Sequence, residues 1–345
     1  MGTSTDKRDI SIDIVKFFAM IGVLIIHSCS FDVPIASKDW CFSLFYRSAA
    51  AGSVPLFLMS SGALMLDSER EVPLKKLYFK NMLRLFVAMM VWGVAYKVYH
   101  LYDENLMSQA NLLKSVKEVF FFNQEFHFYY IHMMFIVYMF LPVTRTFVKS
   151  ASRKTLIYFL ILWVGFGIMY PSVTGTPLLN MYSGMVTQYG INMTYASIGY
   201  GVLGYYLKKY PLKKISALTL VAAGFGTVFA TTYIKSVQYG ILYERSFEGT
   251  CIYVCILAIG VFSLFYGSAL KFRWAKAVVV WGSKASFGIY LVHMLVMHLS
   301  KDAGLSVNMS SYIISIPVFA FIILAISAAL YFILSLIPVV KKWLV

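Results

Sequence analysis

The sequence predicts an all-α integral membrane protein of about ten transmembrane helices with both termini cytoplasmic. Three observations predict it. First, 60% of the 345 residues are hydrophobic and 13% are charged, and the mean hydropathy is +0.73, whereas a soluble domain is nearer half apolar and a quarter charged. Second, the apolar residues collect into ten runs; at about 20 residues each, ten spanning helices need roughly 200 residues. Third, basic residues mark every second loop. What remains suffices for short loops and not for a second globular domain, so residues 1–345 read as a single transmembrane domain.

The runs fall at 12–30, 53–66, 82–101, 128–143, 156–170, 190–207, 215–234, 249–270, 285–299 and 312–340. The first follows a basic start and lacks a convincing small-residue cleavage site, so it reads as a retained span and not a signal peptide. The second, fourth and ninth are short for a crossing at 1.5 Å per residue. With the N-terminus inside, the inside segments carry 21 Lys and Arg against 7 outside, while Lys16 and Lys97 lie within spans. Lys7, Arg8, Arg70, Lys75, Lys76, Lys80 and Arg84 fall on the inside under this reading. Two outside loops stand out. Residues 102–127 are long and mixed in charge; residues 171–189 carry no charge and read equally as a segment dipping into the membrane and as a surface loop.

The net charge of +15 belongs to loops facing anionic lipid. No basic stretch is long enough for a nucleic-acid footprint, so nucleic acid is excluded as a partner. Cys29, Cys41, Cys251 and Cys255 form no CxxC pair. No metal-ligand cluster is visible, and Cys251 and Cys255, four apart in an apolar run, read as small core residues.

Charges within spans cost about 2.5–3.5 kcal/mol at a helix centre, so each needs a reason. Lys16 and His27 are eleven residues apart, which is three turns plus roughly 20°. Their side chains share a face and stand about 16 Å apart along the axis. Asp13, three residues before Lys16, is spaced to pair with it. The functional reading is a passage with a cation at its inner end and a proton acceptor deeper in; the alternative is a snorkelling Lys16 and a packed His27. His127 and His132 are five apart, near 140°, so only one of them faces a shared cavity. Glu125 and His127 sit at the outer boundary of the fourth run. His293 and His298 repeat the five-residue spacing in the ninth, where His293 reads as a packing or helix-bonding residue. Lys75, Lys76, Lys80 and Arg84 are either the ordinary inside bias or an anchor for a phosphorylated ligand.

Four stretches in this order resemble the membrane acyltransferase-3 family of bacterial integral-membrane O-acyltransferases. They are Asp13 and Lys16 through His27; SVPLFLMSSG at 53–62; FHFYY at 126–130 with YMFLP at 138–142; and SFGIYLVH at 286–293. Within that family the chain is most similar to the branch that includes the enterobacterial-common-antigen O-acetyltransferase. The resemblance implies a fold of about ten helices in the bacterial cytoplasmic (inner) membrane. It implies transfer of an acyl group, usually acetyl, from cytoplasmic acyl-CoA to a hydroxyl of a glycan or lipid-linked sugar. Acetyl-CoA is then a donor substrate, and no permanently bound cofactor or metal is expected. By resemblance, His27 is the essential histidine and Lys16 holds a place usually taken by arginine, without arginine's bidentate fork. The family's cytoplasmic Arg-x-x-Arg motif stands here as Asn81 and Arg84, with Lys80 adjacent. A glutamate found in one branch is replaced by Met134 and Phe135.

The expected mechanism follows. Acyl transfer to an alcohol needs a base for the hydroxyl, and an imidazole suits that task. Arg84 and Lys80, with Lys16, dock the donor, while His127, Tyr129, Tyr130 and Glu125 position the acceptor. Direct transfer is the default, with an acyl-histidine intermediate as the alternative. The rival class is a secondary transporter or flippase of a small polar substrate, which also needs buried polar groups but favours an inverted repeat with paired broken helices; none is visible by eye.

Overall fold

The computed structural model describes residues 8–67, 73–173 and 189–345. Helix α1 (Ile10–Ser28) starts at Asp9, whose carboxylate accepts from the Ser11 and Ile12 amides; such a cap is worth about 1 kcal/mol. Helices α2 (Lys38–Ala50) and α3 (Ser53–Met65) form one bent crossing. Helix α4 (Leu74–Asp103) is widened by a π-helical turn at Leu77–Met82. The short α5 (Gln109–Phe120) follows. A 3₁₀ turn at Phe126–Phe128 leads into α6 (Tyr129–Ser150). Helix α7 (Arg153–Val173) contains a second π-helical turn. Then come α8 (Met193–Lys209), α9 (Lys214–Tyr239), α10 (Ile252–Phe265), α11 (Arg273–Asp302), α12 (Tyr312–Ser335) and α13 (Pro338–Trp343).

Among the described residues, nine helical segments are long and apolar enough to cross a membrane. The remaining predicted crossing is α8, 17 residues long and packed between α3, α6 and α7. The polar contacts at the helix ends fit alternate crossing. Lys208 at the end of α8 pairs with Asp67 after α3 (2.9 Å) and approaches Asp9 before α1 (3.6 Å). Lys214, opening α9, donates to the carbonyls of Ser263 (3.1 Å) and Tyr266 (2.7 Å) at the end of α10. At the opposite end, Asp39 of α2 accepts from the Tyr312 amide (2.8 Å), and Tyr99 of α4 donates to Asp302 of α11 (2.7 Å). The first of these ends carries the basic loops. Lys7, Arg70 and most of the uncharged 171–189 loop lie outside the described residues.

Close backbone approach holds the centre. A Cβ at Gly62 of α3 would overlap the backbone of Gly201 in α8, and one at Gly204 would overlap that of Met59. Small residues at such positions let helices pack by dispersion, which is the main attraction left where the solvent is itself apolar. One apolar cluster is built around α3, α6 and α8, and a second around α4, α11 and α12.

Three expectations are corrected. The second crossing begins at Lys38 instead of residue 53, because Trp40, Ser43, Leu44 and Ser48 are buried within the protein, where polar residues are tolerated. The 102–127 loop contains the amphipathic α5, which Glu118 ties to Lys97 of α4 at 2.8 Å; this pairing satisfies the Lys97 charge. Asp13 does not pair with Lys16. Arg8 grips it through two bonds (2.5 and 2.7 Å) and Ser283 Oγ donates to it (2.6 Å), while Lys16 Nζ donates to the Ser283 carbonyl (3.3 Å). A guanidinium fork matches a carboxylate better than an ammonium does. All four cysteines are free, with Cys251 and Cys255 buried as expected of core residues.

Candidate active site

A cavity of about 330 Å³ lies where the two apolar clusters meet, within the size range of small-molecule sites. Helix α1 contributes Lys16, Val23 and His27 to its wall, so the shared face computed from the eleven-residue spacing is the face that borders the cavity. Helix α4 contributes Asn81 from the π-helical turn and Arg84 and Leu85 directly after it. Helix α11 contributes Lys284, Ser286, Phe287 and Tyr290. The entry to α6 contributes His127, Tyr129 and Tyr130, with Tyr138 further along.

The wall is polarised. Lys16, Arg84 and Lys284 belong to the halves of their helices nearer the basic end, whereas His27 lies in the last turn of α1 and His127 just before α6. Lys16 is anchored to α11 through Ser283, and that contact rests on the Asp13–Ser283 bond. Arg84 donates to the main-chain oxygen of Val345, while its Nε is buried without a partner among the described residues. Trp92 donates to the Leu344 carbonyl at 2.9 Å, so the segment after α13 lies along α4 beside Arg84.

Three imidazoles cluster at the far end. The His293 ring lies 5.2 Å from that of His27 and 5.5 Å from that of His127, centroid to centroid. His293 Nδ1 lies 2.6 Å from the Tyr290 carbonyl. A carbonyl only accepts, so Nδ1 carries the proton and Nε2 keeps its lone pair. That Nε2 is buried with no partner among the described residues, and so are both ring nitrogens of His127. Tyr290 in turn donates to the His127 carbonyl at 2.5 Å. The helix-bonding reading of His293 therefore describes Nδ1 alone, because its Nε2 edge is an unused acceptor among the other imidazoles. No cluster of metal-ligating side chains occurs among the described residues.

The cavity gathers Lys16, His27, Arg84, His127, Tyr129 and Tyr130 from three separate helices or their leads. Lys80 and Glu125 do not line it. Lys80 is exposed, one turn before Arg84. Glu125 pairs with His100 of α4 at 2.9 Å, which anchors the 3₁₀ turn that carries His127. His132 sits on another face, against Phe122. Sequence reasoning missed Arg47, counted as a loop charge, which donates to the Ile26 carbonyl (2.8 Å) beside His27. It also missed Lys284 as a wall residue. The available signal was its place two residues before the SFGIYLVH stretch.

No match to the chain was found among curated proteins or among solved structures. A protein-family model described as an acyltransferase domain matches residues 9–333, from the N-cap of α1 into the last turn of α12. That match embraces every wall of the cavity, and the chain belongs to the acyltransferase-3 family of multi-pass membrane acyltransferases.

Proposed function

We propose that this protein moves an acyl group, acetyl by preference, from cytoplasmic acyl-CoA to a hydroxyl of a glycan or lipid-linked sugar on the other side of the bacterial inner membrane. The observation that carries the reading is the single cavity with Lys16, Arg84 and Lys284 toward the basic end and His27 at the other. The cations suit the phosphates of CoA. Lys80, exposed beside the mouth, extends that positive surface. The pantetheine arm would lie along α1 and bring the thioester carbonyl to His27.

The step is direct transfer. His27 takes the proton of the acceptor hydroxyl as its oxygen attacks the thioester carbonyl. The C–O bond forms, the C–S bond breaks, and the CoA thiolate recovers the proton from His27. His127, Tyr129 and Tyr130 border the space the acceptor would fill. Glu125 serves as a positioning residue through the turn it anchors.

The test uses radiolabelled acetyl-CoA with the purified protein in nanodiscs, where both faces are accessible. His27→Ala is expected to abolish label transfer while still binding CoA, and Arg84→Ala to raise the KM for acetyl-CoA. Equal transfer by wild type and His27→Ala would remove His27 from the chemistry. Substrate flux through liposomes without CoA consumption would replace the reading with transport.

A further inference from the structure

A second cavity, of about 380 Å³, adjoins the first. Tyr129 and Val54 line both and form the partition between them. Its wall also includes Ile26, the residue before His27. The rest comes from Arg47 of α2, the start of α3, Met193 of α8 and the segment between α9 and α10, at the end of the bundle opposite the basic loops. Any molecule held there is therefore one side chain away from His27, on the far side from the donor cations.

The chemistry of this second wall differs from that of the first. Arg47, Glu244 and Glu248 bring one guanidinium and two carboxylates, with Thr250 beside them, its hydroxyl 3.4 Å from Glu248. Arg47 lies 5.2 Å above the Phe247 ring and uses one N–H on the Ile26 carbonyl (2.8 Å). That carbonyl belongs to the last turn of α1, so capping accounts for one donor of a five-donor fork. Tyr129, 47% exposed, presents its ring to the space. Two carboxylates repel a phosphate, and three charged groups disfavour an alkyl chain. A neutral polyol satisfies all of them: its hydroxyls donate to the carboxylates and accept from the guanidinium, and its C–H face lies on the aromatic ring.

We infer that this second cavity is the acceptor subsite and holds a neutral sugar ring, with the hydroxyl to be acylated directed past Tyr129 toward His27. The inference rests on the acyl-transfer reading above and adds to it the place of the acceptor, the side chains that hold it and the neutrality of its ring. Arg47, Glu244 and Glu248 bind the sugar and take no part in the bond changes.

The experiment measures acetyl transfer in nanodiscs from labelled acetyl-CoA to a panel of methyl glycosides of glucose, galactose, mannose and N-acetylglucosamine. Glu244→Gln and Glu248→Gln, both at exposed positions, are each expected to raise the acceptor KM about tenfold, the low end of the loss for a hydrogen bond to a charged group. The KM for acetyl-CoA should stay at the wild-type value. Arg47→Lys keeps the charge but not the fork, and should also raise the acceptor KM. An acceptor KM unmoved in both glutamine variants overturns the assignment, as does a parallel rise in both KM values. Wild-type protein that binds acetyl-CoA but acylates no glycoside of the panel overturns the sugar class and leaves the donor half standing. Failure of the wild type to bind acetyl-CoA sinks the acyl-transfer reading itself, and this one with it.

Discussion

Replacing His293 with phenylalanine separates packing from chemistry. The side chain is fully buried, and a phenyl ring approximates its shape. The change removes the 2.6 Å bond to the Tyr290 carbonyl, a loss of about 1 kcal/mol. It also removes a buried Nε2 with no partner among the described residues, whose burial costs roughly 1–3 kcal/mol. The two nearly cancel, so stability should hold or rise by up to about 2 kcal/mol on those magnitudes. Catalysis should behave differently. The His293 ring lies 5.2 Å from that of His27 and 5.5 Å from that of His127, and losing its Nε2 lone pair should slow transfer about 100-fold, the low end for a proton-handling group. His293→Asn keeps an N–H where Nδ1 was and nothing at Nε2, so it should be equally slow. His293→Gln places a polar atom near Nε2 and should recover part of the rate. Unfolding can be followed by a thiol-reactive dye, since Cys251 and Cys255 are buried, and transfer by labelled acetyl-CoA. A phenylalanine variant as fast as wild type, or one that unfolds in mild detergent, would refute the reasoning.

Other outcomes follow from the fold. Gly62→Val drives a side chain into the Gly201 backbone and should destabilise by about 2 kcal/mol, whereas Gly226→Ala in α9 meets nothing within 4 Å and should be neutral or stabilising; thermal unfolding reads both. The hydrogen bond from Lys97 holds the Glu118 carboxyl below its usual range. The hold on α5 is therefore complete above the ordinary glutamate value, about 4.3, and is lost as the pH falls through the lower folded value. The hydrogen-exchange protection of α5, taken relative to the intrinsic amide rate at each pH, should fall in acid in the wild type and be reduced at every pH in Glu118→Gln.

The succession of crossings was largely legible because each lipid-facing stretch must be apolar and every second loop here is basic. The crossings that were underread, those containing Lys38 and Arg273, show the limit of that signal. Hydropathy measures contact with lipid, and α2 buries polar side chains against protein instead. Helical periodicity put Lys16 and His27 on one face, because spacing fixes direction within a single helix; His127 and His132 do face different ways, but His127 sits in the 3₁₀ turn before α6, which the spacing did not foresee. It could not say that Arg8 would outcompete Lys16 for Asp13, since Ser283, 270 residues away, is part of that arrangement. For the same reason Arg47 and Lys284 looked like loop charges. Their importance comes from neighbours on other helices, which no local pattern encodes.

The most direct test of the central claim is a density map of the protein with a non-hydrolysable acetyl-CoA analogue. The nucleotide is expected at Arg84 and Lys284, the pantetheine arm along α1, and the acyl carbonyl within hydrogen-bonding reach of His27. An analogue bound elsewhere, with the His27 cavity empty or filled by lipid, would contradict that claim.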